Sequence, residues 1–101
     1  MDVTLAMKSF VRVVESGSFS AVARELGTTQ PAVSKHIAWL ERHLGSRLME
    51  RTTRKLSLTQ EALQYYERAK AILEQIEDAE RLVRRGRSEI TGVLRIGCSV
   101  G

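Results

Sequence analysis

At 101 residues and 11.3 kDa, the chain has room for one small domain plus an appended element. It is 43% hydrophobic and 28% charged with a single proline, which excludes a disordered tail or low-complexity spacer and allows a modest core. A lone cysteine, Cys98, excludes an internal disulfide framework and any paired-cysteine metal or redox motif. The first residues include Asp2, Lys8, Arg12 and Glu15, so no apolar stretch there can serve as a signal peptide or membrane span, and a reducing, cytoplasmic setting is the default. The net charge of +4 is unevenly placed. Residues 1–60 carry nine Lys/Arg against five Asp/Glu, whereas residues 61–101 carry seven of each. The positive excess therefore belongs to the first part alone, with four cations crowded into 47–55, a footprint suited to a polyanion.

Residues 3–16 repeat apolar side chains at Val3, Ala6, Met7, Phe10, Val11 and Val14, the period of an amphipathic helix stopped by Ser16-Gly17. Ser18 can cap a short second helix whose Phe19, Val22, Ala23 and Leu26 share one side, with Gly27 at its left-handed end. Thr28 or Thr29 caps a third helix, with Pro31 in the first turn, where its missing N–H costs nothing, and Gly45 as its end. The buried face of that helix reads as Val33, Ile37, Leu40 and Leu44. Between 46 and 58 the helical period is lost. Arg47–Arg51 and Leu56–Leu58 read as short strands around the cationic tip Thr52, Thr53, Arg54 and Lys55, a small hairpin or wing.

Thr59 caps a long helix predicted to reach about residue 86. Ala62, Ala69, Ile76 and Val83 recur every seven residues, flanked by Tyr66 and Leu73 on one side and Tyr65 and Ile72 on the other. A rod of roughly 40 Å outruns the small domain, which can cover only its first half, so the stripe calls for a second copy in a coiled-coil-like pair. Arg84–Ser88 breaks the pattern, and residues 87–91 read as a hinge. Residues 92–101 then read as an apolar strand without a sheet, which makes the chain the front end of a longer protein.

Two short helices joined by a tight turn, the second opening with polar residues, form a helix-turn-helix arrangement. The outer arc of the third helix carries Gln30, Pro31, Ser34, Lys35 and Ala38, which are small or hydrogen-bonding and free of acid, as entry into a major groove requires. Gln30 can bond adenine in paired fashion, Lys35 suits guanine or a phosphate, and Arg54 suits the minor groove. Glu41, nearer the core edge, is expected to pair with a neighbouring cation. Trp39 reads as packing against a neighbouring helix rather than reading a base. His36 and His43 read as solvated or core-edge residues, since no third metal ligand accompanies them. No nucleophile setting for an enzyme is evident.

The runs Gly17-Ser18-Phe19-Ser20-Ala21-Val22-Ala23-Arg24-Glu25-Leu26, Thr29-Gln30-Pro31-Ala32-Val33-Ser34-Lys35-His36-Ile37 and Leu44-Gly45-Ser46-Arg47-Leu48-Met49-Glu50-Arg51 closely resemble LysR-type transcriptional regulators. The resemblance covers residues 1–91, with Met49 in place of the common phenylalanine and Glu61-Ala62 where a small residue and glycine are frequent. It implies a mainly α fold: a winged helix-turn-helix of three helices and a short hairpin over 1–58, then a linker and dimerisation helix over 59–86. Residues 92–101 would begin an effector domain. It also implies that Gln30, Pro31, Ser34 and Lys35 face the major groove, with Thr52, Thr53, Arg54 and Lys55 at the minor groove or backbone. Ser18 and Thr29, at helix N-termini, would contact phosphates. Tyr66, Ala69, Leu73, Ile76 and Val83 would join two copies antiparallel, with a tetramer possible in the longer protein. The expected partners are double-stranded DNA and a second copy, with a small-molecule effector only in the missing part. Neither a membrane, a metal nor a cofactor is expected, and no enzymatic activity. The leading alternative is a winged helix that uses its long helix only to bind protein.

Overall fold

The computed structural model describes residues 1–51 and 56–89; the wing tip Thr52–Lys55 and the strand expected in 92–101 lie outside the described residues. Four helices and a two-stranded antiparallel sheet follow in the order α1 (Val3–Ser16), α2 (Phe19–Leu26), α3 (Gln30–Leu44), β1 (Met49–Arg51), β2 (Leu56–Leu58) and α4 (Gln60–Glu89). Each short helix is bounded by its own chemistry. Asp2, Ser18 and Thr29 sit in extended conformation and accept the amides of Thr4, Ala21 and Ala32, relieving first-turn donors that the helices cannot satisfy themselves. Gly17, Gly27 and Gly45 close α1, α2 and α3 at φ of 71°, 69° and 70°, a left-handed region where a side chain would be strained. α4 begins on Thr59, whose hydroxyl oxygen accepts from Ala62 at 3.1 Å while the hydroxyl donates to the Arg47 carbonyl at 3.0 Å.

The chain divides into two units, Met1–Ala71 and Ile72 onward. In the first, Phe10, Val13, Val22, Val33, Leu40 and Leu48 are the large side chains buried in the core, where α1 and α2 pack on α3. Phe10 also meets Tyr65 of α4, ring centroids 5.6 Å apart and tilted by 49°. Ala62 and Ala69 have no exposed surface, so the opening turns of α4 belong to this unit. In the second unit every described side chain of α4 except half-buried Leu73 is exposed.

The arc that α1 buries differs from its sequence period. Ser9 and Val13 are fully buried, while Val3 is exposed and Met7 and Val14 are half-buried. α1 packs against both α2 and α3, which widens its covered face past a single stripe. Ser9 tolerates burial because its hydroxyl pairs with His36 Nδ1 of α3 at 2.9 Å, and no buried side-chain polar atom among the described residues is left without a partner. Leu44, expected in the core, is 40% exposed, since the chain leaves the helix at Gly45. α4 continues to Glu89, through Gly86 and into the segment expected as a hinge. A helical glycine costs only about 1 kcal/mol relative to alanine, and the arginines around it favour helix. β1 is shorter than expected, Met49–Arg51, and pairs Met49 with Leu58, Glu50 with Ser57 and Arg51 with Leu56.

Candidate nucleic-acid interface

α3 is held from behind. Val33, Ile37 and Leu40 fix one side in the core, and the Ser9–His36 bond adds a polar pin from α1. The opposite arc then presents Gln30, Pro31 and Lys35 as exposed side chains, with Ser34 and Ala38 half-buried beside them. All four residues expected to face a groove therefore lie together at the N-terminal half of one rigid helix. Thr29 caps that end: its hydroxyl oxygen accepts the Ala32 amide at 3.3 Å and its carbonyl accepts Val33 at 3.1 Å. Pro31 carries no N–H, which leaves the Gln30 amide as the first-turn donor outside those caps. Ser18 similarly accepts the Ala21 amide at 3.1 Å and pairs with the Ser20 hydroxyl at 3.2 Å. Both residues expected to meet phosphates thus sit at helix starts with their oxygens already engaged in caps.

The acids around this surface are occupied elsewhere. Glu41 forms no ion pair among the described residues; its Oε2 accepts the backbone amides of Leu48 at 2.9 Å and Met49 at 3.2 Å, tying the end of α3 to β1. Leu48 and Met49 are buried residues whose amides need acceptors, and the carboxylate supplies one oxygen to both. Glu25 binds Arg12, whose Nε donates to both of its oxygens at 2.9 and 3.2 Å. Glu15 accepts from Arg12, from the Tyr66 hydroxyl at 2.7 Å, and lies 3.6 Å from the Lys70 ammonium. The Tyr66 hydrogen bond first, then Lys70 and Arg12, hold the Glu15 carboxyl below its ordinary value, and the same bond pushes the Tyr66 phenol up. Trp39 lies half-buried and stacks on His43 one turn along its own helix, centroids 4.6 Å apart and 12° from parallel.

The dimerisation stripe separates into two groups. Ala69 is wholly buried against its own domain and has no surface to give a second copy, which corrects its expected place in the pairing set. Tyr66 is half-buried, with its hydroxyl committed to Glu15. Leu73 is half-buried, whereas Ile76 and Val83 are exposed, as are Ile72, a flank of the stripe, and Leu82, which the stripe did not include. Sequence reasoning also passed over Arg42. It lies seven residues after Lys35, two helical turns farther on the same arc, and that spacing was the signal available. No helix among the described residues is long and apolar enough to cross a membrane.

Comparison with known proteins places this geometry. The bacterial regulatory helix-turn-helix protein, LysR family, model matches residues 5–63. An HTH-type transcriptional repressor of Pseudomonas aeruginosa is 43% identical over 96 residues, covering 95% of this chain and 30% of its own length. The HTH-type transcriptional regulator CrgA of Neisseria meningitidis is 47% identical over 87 residues, covering 86% of this chain and 29% of its own. The chain thus spans about three tenths of the length of these curated relatives. Among solved structures, the DNA-binding domain of BenM in complex with catB site 1 DNA superposes with a TM-score of 0.77 at 33% identity, covering 87% of this chain and 97% of that one. The DNA-binding domain of CbnR in complex with DNA gives 0.74 at 31%, covering 85% and 98%. The relatives are named as transcription regulators rather than enzymes, and the winged helix-turn-helix with its long following helix belongs to the LysR family of bacterial regulatory proteins.

Proposed function

We propose that this chain is the sequence-specific, double-stranded-DNA-binding part of a transcription regulator, acting as a homodimer on promoter DNA in the cytoplasm. The observation that carries this is the acid-free arc of Gln30, Pro31, Ser34 and Lys35 on a helix braced from behind by Ile37, Leu40 and the Ser9–His36 bond. Side chains of that kind on a helix narrow enough for the major groove can discriminate bases, and a lysine among them serves guanine or phosphate. The solved neighbours bound to DNA support the assignment. Thr52, Thr53, Arg54 and Lys55 then meet the minor groove or backbone, and Ser18 and Thr29 approach phosphates through the positive ends of α2 and α3. Leu73, Ile76 and Val83, with Tyr66 at the edge, pair the long helices of two copies. Two recognition helices so joined address half-sites separated by a helical turn of about 34 Å or a multiple of it. The longer protein assembles as dimer or tetramer and takes its small-molecule effector outside this segment.

Selection of bound duplexes from a random pool tests the assignment and yields half-site, symmetry and spacing together. Lys35→Ala and Arg54→Ala should each weaken binding to the selected duplex, and Lys35→Ala should also relax its sequence preference. Binding left unchanged by both substitutions would refute the assigned roles.

A further inference from the structure

Resting on the DNA-binding reading of α3, we propose that Arg42 and Arg47 form a separate phosphate-binding contact, gripping the duplex backbone beyond the bases that Gln30, Ser34 and Lys35 address. The two arginines flank an open depression of about 430 Å³ at the C-terminal end of α3, lined also by Ala38, Glu41, Gly45 and Ser46. Arg42 is exposed on the arc of Lys35, about 10 Å farther along the helix axis at 1.5 Å per residue. Arg47 is exposed on the segment entering β1, and its backbone is pinned from both sides. Its carbonyl accepts the Thr59 hydroxyl at 3.0 Å, and the next two amides are held by Glu41. The guanidinium therefore projects from a fixed base rather than from a loose loop. Glu41, the one acid in the depression, directs an oxygen to those two amides, so its charge is partly spent inside the fold. Neither arginine forms an ion pair among the described residues, in contrast to Arg12 and Arg81, which do. Two guanidiniums without an acid partner among the described residues, beside one depression at the end of α3, are suited to phosphodiester oxygens, which they bind in paired fashion.

A cation in the last turn of a helix also has a structural use against the negative helix end, so the readout must be one that such a role does not move. That readout is the salt dependence of binding. Each phosphate neutralised contributes a slope of about −0.9 to log K against log salt, so the pair contributes about −1.8 per bound copy. The labelled selected duplex is titrated with the wild-type chain, Arg42→Gln, Arg47→Gln and the double variant at several salt concentrations. Each single variant should flatten the slope by about 0.9 per bound copy, the double variant by about 1.8, with the selected sequence unchanged. Arg42→Lys should keep the wild-type slope. Arg42→Gln alters one exposed helical side chain and carries the test alone if the double variant fails to fold. Slopes equal to wild type, or an altered sequence preference, would overturn the proposal while leaving the function of α3 standing. Absence of duplex binding by the wild-type chain would instead overturn the DNA-binding reading and this contact with it.

Discussion

Replacing Glu41 by alanine removes the acceptor for two backbone amides at once. Leu48 and Met49 are 1% and 6% exposed, so water cannot readily substitute for the lost carboxylate. Leaving a buried donor unsatisfied costs about 1–3 kcal/mol. The bond to Leu48 is 2.9 Å and short enough to count fully, that to Met49 is a weaker 3.2 Å, and the carboxylate itself is half-buried. A net loss of about 2 kcal/mol follows, and for a domain this small each kcal/mol lowers Tm by about 4–8 °C. Glu41→Ala should therefore melt roughly 8–16 °C below wild type. Glu41→Gln keeps a carbonyl acceptor in the same place and should lose only the charge-assisted part, about 1 kcal/mol or less. Circular dichroism melts at matched protein concentration measure the order, since self-association would shift Tm by mass action. Amide hydrogen exchange locates the effect, with the Leu48 and Met49 protons accelerated in Glu41→Ala ahead of those in α1. Equal melting of all three proteins, with those two amides unchanged, would refute the capping role and return Glu41 to an ordinary surface acid.

Tyr66→Phe removes the main hydrogen bond that lowers the Glu15 carboxyl. A depressed carboxyl adds stability above its unfolded value and loses it as pH falls through the folded one. The wild-type advantage in urea melts should thus be present at neutral pH and shrink as the pH drops through the carboxylate range; a gap that widens in acid would contradict it. In the other direction, Glu15→Gln should lower the alkaline titration midpoint of Tyr66, followed by ultraviolet absorbance, because that carboxylate is the first cause of its raised phenol. Leu40→Ala should cost about 2–5 kcal/mol and Leu44→Ala less than about 1, although the two share a face in the sequence period. Denaturant melts that rank them equally would dispute the observed end of the core. Ile76→Glu with Val83→Glu should turn a dimer into a monomer by light scattering without lowering the melting of the Met1–Ala71 unit, and a persistent dimer would remove this stripe from the interface.

The helices were legible because their limits are written in local chemistry. Acceptors at 18 and 29 and a glycine at 17, 27 and 45 bracket apolar periods, and each bracket needs no knowledge of the rest of the fold, whereas the Asp2 cap of α1 went unread. The exposed, acid-free arc of α3 was legible for the same reason, since it is the complement of Val33, Ile37 and Leu40 on one helix. What escaped was set by contacts distant in sequence. Ser9 is buried because His36, 27 residues later, satisfies it, and no apolar period encodes that bond. Glu41 turns to amides seven and eight residues ahead, a partner invisible until the chain has doubled back into β1. Ala69 read as one repeat of a continuous stripe, yet it is wholly buried while Ile76 and Val83 are exposed, and the seven-residue period carries no sign of that change.

The uneven charge of the first sixty residues acquires a cause from these same contacts. Four of its five acids are engaged within the chain: Asp2 on the Thr4 amide, Glu15 on Arg12, Tyr66 and Lys70, Glu25 on Arg12, and Glu41 on two amides. Glu15 and Glu25 share Arg12, so two acids consume a single cation of that segment. Lys8, Arg24, Lys35, Arg42 and Arg47 consequently stand exposed without an ion pair among the described residues. Exposed pairs such as Arg12–Glu25 contribute only about 0–1 kcal/mol to folding, so stability alone gives little reason for that arrangement. Its larger effect is on the field: acids drawn to α1, α2 and the β1 amides are acids withheld from the arc of α3. A net charge of +4 distributed evenly would attract a polyanion without orientation, whereas the same charge sorted this way presents the exposed arc of α3 first.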